Sequence, residues 1–194
     1  MPAPTILVLD NFDSFTFMLV DYLEQLGADV IVERSDSIPV GKALSIGTGG
    51  ILISPGPGAP EAAGISIPLA AECVSRNHPL LGVCLGHQAI AAACGSDVVR
   101  TAPMHGKVAS IVHDGTGLFE GVPTPFPATR YHSLAISDVR PPLVANAWSD
   151  DGVVMGVRHA TAPVHGIQFH PESVASEQGK VLLEAFIRQC RILA

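Results

Sequence analysis

The feature that most constrains this chain is a series of short, compact aliphatic or β-branched runs: Thr5 to Leu9, Asp29 to Glu33, Gly50 to Ser54 and Leu80 to Val83. Runs of this length suit strands buried on both faces, which occur where helices cover a parallel sheet on either side. Between the first two runs, Phe15, Leu19, Leu23 and Leu26 recur at helical spacing, with Asp13 or Ser14 available as N-cap and Gly27 as a stop. This is a β-α-β unit. Further helices are expected from Leu85 to Cys94 and from Ser176 to Ile192, the latter apolar at Leu182, Leu183, Phe186, Ile187 and Cys190. Such alternation predicts an α/β, flavodoxin-like, doubly wound and mostly parallel sheet with helices on both faces.

From Val98 to Ala160 the texture changes. Lys107 to His113, Ala128 to Ile136 and Val153 to His159 have period-two character, and turns are supplied by Gly115, Gly117, the Pro123, Pro125 and Pro127 series, and Asp150-Asp151-Gly152. These segments predict an antiparallel elaboration in the second half of the fold. At 194 residues, the span 1–194 is expected to form a single domain. With 47% apolar and only 15% charged residues it has ample material for a core, so disorder is not expected.

The charge balance narrows the partners. Eleven basic against 18 acidic residues give a net charge of −7, with neither sign in a long block, which argues against nucleic acid, whose binding rests on phosphate neutralisation. The longest stretches without Asp, Glu, Lys or Arg are interrupted by Gly, Pro, Asn, His or Gln, so no membrane span is expected. The N-terminal residues show no basic n-region, and cytosol is the expected compartment. The cysteines Cys73, Cys84, Cys94 and Cys190 are scattered, without zinc-type spacing. His78, His105, His113, His159 and His165 show no metal-type clustering either, and neither a metal nor a cofactor is expected.

Three elements carry chemistry. Gly82-Val83-Cys84-Leu85-Gly86 sets a cysteine between glycines, after a buried strand and before a helix, the pattern of a nucleophile elbow with sulfur in place of a hydroxyl. Such a bend exposes the side chain while the next backbone N–H points into the same space. A free thiol is only a few per cent thiolate at neutral pH, and a helix N-terminus with a nearby imidazolium corrects that. The second element is the strand Val164 to Phe169 ending in His170-Pro171-Glu172, where Glu172 can hold the His170 ring and leave its other nitrogen to face a thiol. The third, Ser54-Pro55-Gly56-Pro57-Gly58, follows a strand and emerges at the sheet edge where ligands gather. Pro57 lacks an N–H, so Gly58 is the candidate for a second oxyanion donor beside Leu85 N–H. Taken singly, each also suits a bland role: a small buried cysteine at a tight junction, a structural loop, a rigid Pro/Gly turn.

Together these elements resemble the class I (triad) glutamine amidotransferases, in which a glutaminase hydrolyses glutamine and passes ammonia to a synthase. The resemblance runs along nearly the whole chain, through Asp10 to Thr16, Ser54 to Gly58, Gly82 to Gln88, Met104 to Lys107, Arg130 to Leu134 and Gln168 to Ser173. Within the family it is similar to component II of aminodeoxychorismate or anthranilate synthase. The resemblance implies a Cys84, His170 and Glu172 triad, with Gly56, Pro57, Gly58, Gln88, Ser133 and Leu134 holding L-glutamine. Its implied partner is a separate, chorismate-using synthase subunit. Thr129 to Leu134, Ala147 to Ser149 and Ser176 to Gly179 lean slightly toward the aminodeoxychorismate components. Family members commonly carry Asn where this chain has Met18, and Gly-Gly where it has Gly95-Ser96. His87 and His132 neighbour Gln88 and Ser133 but are expected to point elsewhere and to be structural. The loop Asp10 to Thr16 and the segment Met104 to Lys107 are the interface candidates. The alternatives are a glutaminase for another acceptor synthase, a flavodoxin-like binding module without catalysis, and a cysteine hydrolase acting alone.

Overall fold

The computed structural model describes residues 3–46 and 49–193. Its backbone is one nine-stranded sheet in the order β2-β1-β3-β4-β9-β8-β7-β5-β6. Five strands, β1 (Thr5–Asp10), β2 (Asp29–Arg34), β3 (Gly50–Ile53), β4 (Leu80–Val83) and β9 (Val164–Ile167), pair in parallel. The others, β5 (Asp97–His113), β6 (Phe126–Asp138), β7 (Leu143–Ser149) and β8 (Val154–His159), are antiparallel, and β9 joins the two halves by pairing parallel with β4 and antiparallel with β8.

The aliphatic runs are uninterrupted because both faces of the sheet are covered. Ile6, Val8, Leu52, Leu81 and Val83 turn to one side and pack with Leu19 and Leu23 of α1 (Thr16–Gln25) and with Leu182, Leu183, Phe186 and Ile187 of α5 (Gly179–Leu193). Leu7, Leu9, Ile51, Ile53 and Leu80 turn to the other, against α2 (Val40–Ile46), α3 (Ser66–Arg76) and α4 (Leu85–Ala93). The doubly wound α/β expectation is therefore borne out, with the antiparallel strands where the texture of the sequence changes.

Local departures have physical causes. The turn before α1 is tied by Asp13, whose carboxylate accepts from Phe15 N–H at 2.8 Å, but the N-cap position itself is Phe15 with no side-chain capping bond. The last helix begins at Gly179 rather than Ser176, whose hydroxyl is committed to the His170 carbonyl at 2.6 Å. Strand β5 runs ten residues ahead of the expected Lys107, as a largely exposed arm paired with β6 across register shifts; with no buried face there, no alternation marked it. Among the described residues no helix is long and apolar enough to cross a membrane.

Candidate active site

The sheet register assembles the site. Parallel pairing aligns Val83 with Ile167, so Cys84 and Gln168, the next residues on each strand, are neighbours although 84 positions apart in sequence. The Cys84 N–H donates to the Ile167 carbonyl at 2.8 Å, which pins the bend after β4 to β9.

Cys84 occupies φ 52°, ψ −99°, a conformation that side-chain-bearing residues adopt only when their surroundings force it. Here the flanking glycines do so. A Cβ on Gly82 would stand 2.4 Å from the Gly86 carbonyl, and one on Gly86 would stand 2.2 Å from the Ile53 carbonyl. These close approaches seat α4 directly against β3 and β4, with Leu85 as the first helical residue beside the sulfur.

His170 is equally fixed. The His170 N–H donates to the Thr129 carbonyl at 3.0 Å, and the Ser176 hydroxyl holds the His170 carbonyl. Its ring Nδ1 lies 2.6 Å from Glu172 Oε1, and Glu172 is wholly buried. That bond assigns the Nδ1 proton and leaves Nε2, which has no well-formed hydrogen bond, on the side of the Cys84 sulfur. Burial works against the imidazolium, yet the Cys84 sulfur and the Glu172 carboxylate outweigh it, and the His170 pKa rises to about 10. Edge-on contacts from Phe15 and Tyr131, at centroid distances of 5.6 and 5.2 Å, hold the ring's orientation.

Beside the thiol lies a cavity of about 190 Å³ lined by Gly56, Pro57, Gly58, Cys84, Gln88, Tyr131, His132, Ser133 and Leu134. All of the expected binding residues are brought together here. The Pro/Gly loop is latched to the β1–α1 loop. Asn11 N–H donates to Ser54 Oγ at 2.9 Å, Asn11 Nδ2 donates to the Ser54 carbonyl at 3.1 Å, and a Cβ on Gly56 would strike Asn11 and Leu85. Gly58 instead adopts φ +79° with open space around it. Gln88 Nε2 donates to the Leu134 carbonyl at 3.2 Å and to Gln168 Oε1 at 3.1 Å.

Contrary to the expectation that it points elsewhere, His132 lines the cavity, because the strand carrying Ser133 and Leu134 forms its wall; both of its ring nitrogens are nonetheless committed. Nε2 accepts from Arg130 Nε at 3.1 Å, which leaves Nδ1–H to donate to the Leu134 carbonyl at 2.9 Å. Burial, then the Arg130 guanidinium, lowers its pKa to about 4. His87 is buried against Gly166 of β9, and burial holds its pKa at about 3. Both are thus neutral at physiological pH, His132 in the cavity wall and His87 packed on β9. Phe15, Tyr131 and Gln168 also belong to the site; each lies in a stretch that carries the family resemblance, but the sequence reading singles out none of them as a site residue. A second hollow, about 430 Å³, lies between the two expected interface segments, lined by Asp13, Phe15, Pro103, Met104 and His105, and shares Tyr131, His132 and Ser133 with the first. Among the described residues no group of His, Cys, Asp and Glu is placed to hold a metal ion.

A thiol at a strained elbow, an imidazole oriented by a buried carboxylate and a small polar cavity can perform acyl transfer. The family model "Glutamine amidotransferase class-I" matches residues 7–190. The chain belongs to the class-I glutamine amidotransferases.

Relatives of this amidotransferase include anthranilate synthase component 2 of Thermus thermophilus, 54% identical over 94% of this chain and 91% of that protein. Aminodeoxychorismate synthase component 2 of Escherichia coli is 46% identical over 95% of this chain and all of that protein. A Bacillus subtilis relative named aminodeoxychorismate/anthranilate synthase component 2 is 44% identical over 96% and 97%. A crystal structure of a Thermoplasma acidophilum protein, named for one of the subunits of GMP synthase, superposes with a TM-score of 0.88 over 99% of this chain and 96% of that one. At 24% identity it speaks to the fold.

Proposed function

We propose that this amidotransferase, working as a single unit over its whole length, hydrolyses L-glutamine at Cys84 and supplies the ammonia to a separate chorismate-using synthase subunit. The observation that carries this reading is the buried His170–Glu172 pair beside the Cys84 elbow at the mouth of a cavity small enough to select an amino acid. Ligand sites of about 300 to 1,000 Å³ take larger, drug-sized molecules.

In this mechanism the Cys84 proton rests on His170 Nε2, as the raised imidazole pKa favours, and the thiolate attacks the glutamine γ-carboxamide carbon. The N–H groups of Gly58 and Leu85 receive the developing oxyanion, each donor contributing about 3 kcal/mol. The imidazolium then protonates the leaving nitrogen, ammonia departs and a thioester remains. Water, deprotonated by His170, attacks the thioester; glutamate leaves and the thiol regains its proton. Glu172 stabilises the imidazolium at both steps. Gly56, Pro57, Gly58, Gln88, Ser133 and Leu134 surround the substrate backbone.

Ammonia released into neutral water is protonated and loses its nucleophilicity, so the site gains by being capped by the enzyme that consumes it. The segments Asp10 to Thr16 and Met104 to Lys107 supply that docking face, on the support of the hollow they share next to the thiol and of the exposed ring of Phe17 at the start of α1. We place the reaction in the cytosol, where the four free thiols stay reduced.

The test is ammonia release from glutamine by the wild type and by Cys84→Ala, each with anthranilate synthase component I or aminodeoxychorismate synthase component I. Turnover that depends on Cys84 and rises with a component I is expected, and the aminated product names the acceptor. Equal turnover by Cys84→Ala, or no response to either component, overturns the reading.

A further inference from the structure

The Cys84 sulfur has a donor that the triad does not account for. Gln168 Nε2 lies 3.5 Å from it, while the sulfur lies 3.7 Å from the Tyr131 carbonyl. A carbonyl can only accept, so the Tyr131 contact serves the thiol; an amide N–H donates, so the Gln168 contact serves the thiolate. Which end of the Gln168 amide faces the sulfur is settled by a chain of constraints. The Leu134 carbonyl is a fixed acceptor and draws the nitrogen of Gln88; that nitrogen also donates to Gln168, which must present its oxygen there. The Gln168 nitrogen is left pointing at Cys84. Its backbone cannot drift, because Gln168 N–H donates to the Met155 carbonyl at 2.9 Å, and the side chain is wholly buried.

We infer that Gln168 is a further catalytic residue, donating a hydrogen bond to Cys84 that favours the thiolate, and that Gln88 and the Leu134 carbonyl orient it. The inference rests on Cys84 being the nucleophile. It extends that reading by giving Gln88 a second duty, since a glutamine bound in the cavity meets the same amide that aims Gln168. Loss of the proton then moves the sulfur from the Tyr131 carbonyl, which no longer has anything to accept, toward Gln168.

The experiment is alkylation of Cys84 by iodoacetamide across pH, followed by mass spectrometry of the Cys84 peptide, without glutamine or a partner. Cys73 and Cys190 stay out of the way, since burial raises both thiols to about 12. The native ionisable groups near the sulfur, His170 and Glu172 after β9, Arg130, Tyr131 and His132 on β6, Asp151 after β7 and His87 on α4, are retained in every variant, and only Gln168→Glu adds another. Gln168→Met removes the donor at similar volume, and the midpoint of the alkylation profile is expected to rise by about one pH unit, a tenfold loss of thiolate below it. Gln168→Glu puts a carboxylate oxygen at the sulfur and should raise the midpoint further. Gln88→Leu releases the Gln168 amide and should raise it less, which keeps the test alive if both Gln168 variants fail to fold. Profiles that coincide with wild type in the folded variants overturn the inference. A wild type that releases no ammonia from glutamine overturns the functional reading instead, because the alkylation profile needs neither substrate nor acceptor.

Discussion

At the scale of single residues, the site stores strain in one place and excludes protons from several. Cys84 holds a positive φ that only glycine adopts freely, at a cost of about 1 to 3 kcal/mol. Cys84→Gly is therefore expected to be more stable than Cys84→Ala by about 1 kcal/mol, the reverse of the usual order, while both release no ammonia. Urea denaturation of the two variants checks this. The buried histidines set the response to acid. His165, on β9, is pushed by burial from 6.5 down to about 4. The fold thus holds it neutral while the unfolded chain takes up a proton below about pH 6.5, and stability is lost as pH falls. Between pH 6.5 and 4 this group contributes a loss on the order of 2 to 3 kcal/mol. Thermal melts of His165→Gln should show a shallower acid limb than the wild type. His170 has the opposite sign: raised from 6.5 to about 10, it stabilises fully below pH 6.5 and fades as pH climbs toward 10.

At the scale of elements, the closeness of α4 to the sheet is what aims the Cys84 side chain. Gly86→Ala would drive a methyl group to 2.2 Å from the Ile53 carbonyl, a backbone atom that cannot rotate away. We expect a loss of several kcal/mol in stability and of at least a hundredfold in kcat, read by denaturant titration and by ammonia release in whatever fraction folds. This strand-elbow-helix was legible in the sequence because its pattern is local, and so were β1 to β4, α1, α4 and the His-Pro-Glu segment. Other elements carry weaker signals. Helix α2 has seven residues and buries only Ala43. In α3, Leu69, Ala70 and Cys73 have helical spacing, but Pro68 lies in the first turn, where a proline is tolerated yet discourages the assignment. Strand β7 buries Asn146, whose amide bonds the Thr116 carbonyl, so its alternation is broken. Phe15, Tyr131 and Gln168 reach the thiol through register and long-range packing, which no spacing along the chain encodes.

At the scale of the whole molecule, the ring of Phe17 stands out near the carboxyl end of β1, about two-thirds exposed, while that of Phe12 lies under the Arg34 guanidinium. If that face receives the synthase subunit, Phe17→Asp should weaken association at least tenfold in a titration of partner-stimulated ammonia release, leaving the melting temperature within a few degrees of wild type. The position of β9 has a broader consequence. It is laid down between β4 and β8, so the central seam of the sheet closes only when a segment that leaves the ribosome after both of its neighbours is threaded between them. Until then a nascent chain carries Cys84 without the His170 imidazole proposed as its proton acceptor. Amide cleavage is thereby withheld from every copy of the polypeptide still short of that segment, and translation itself arms the reactive centre.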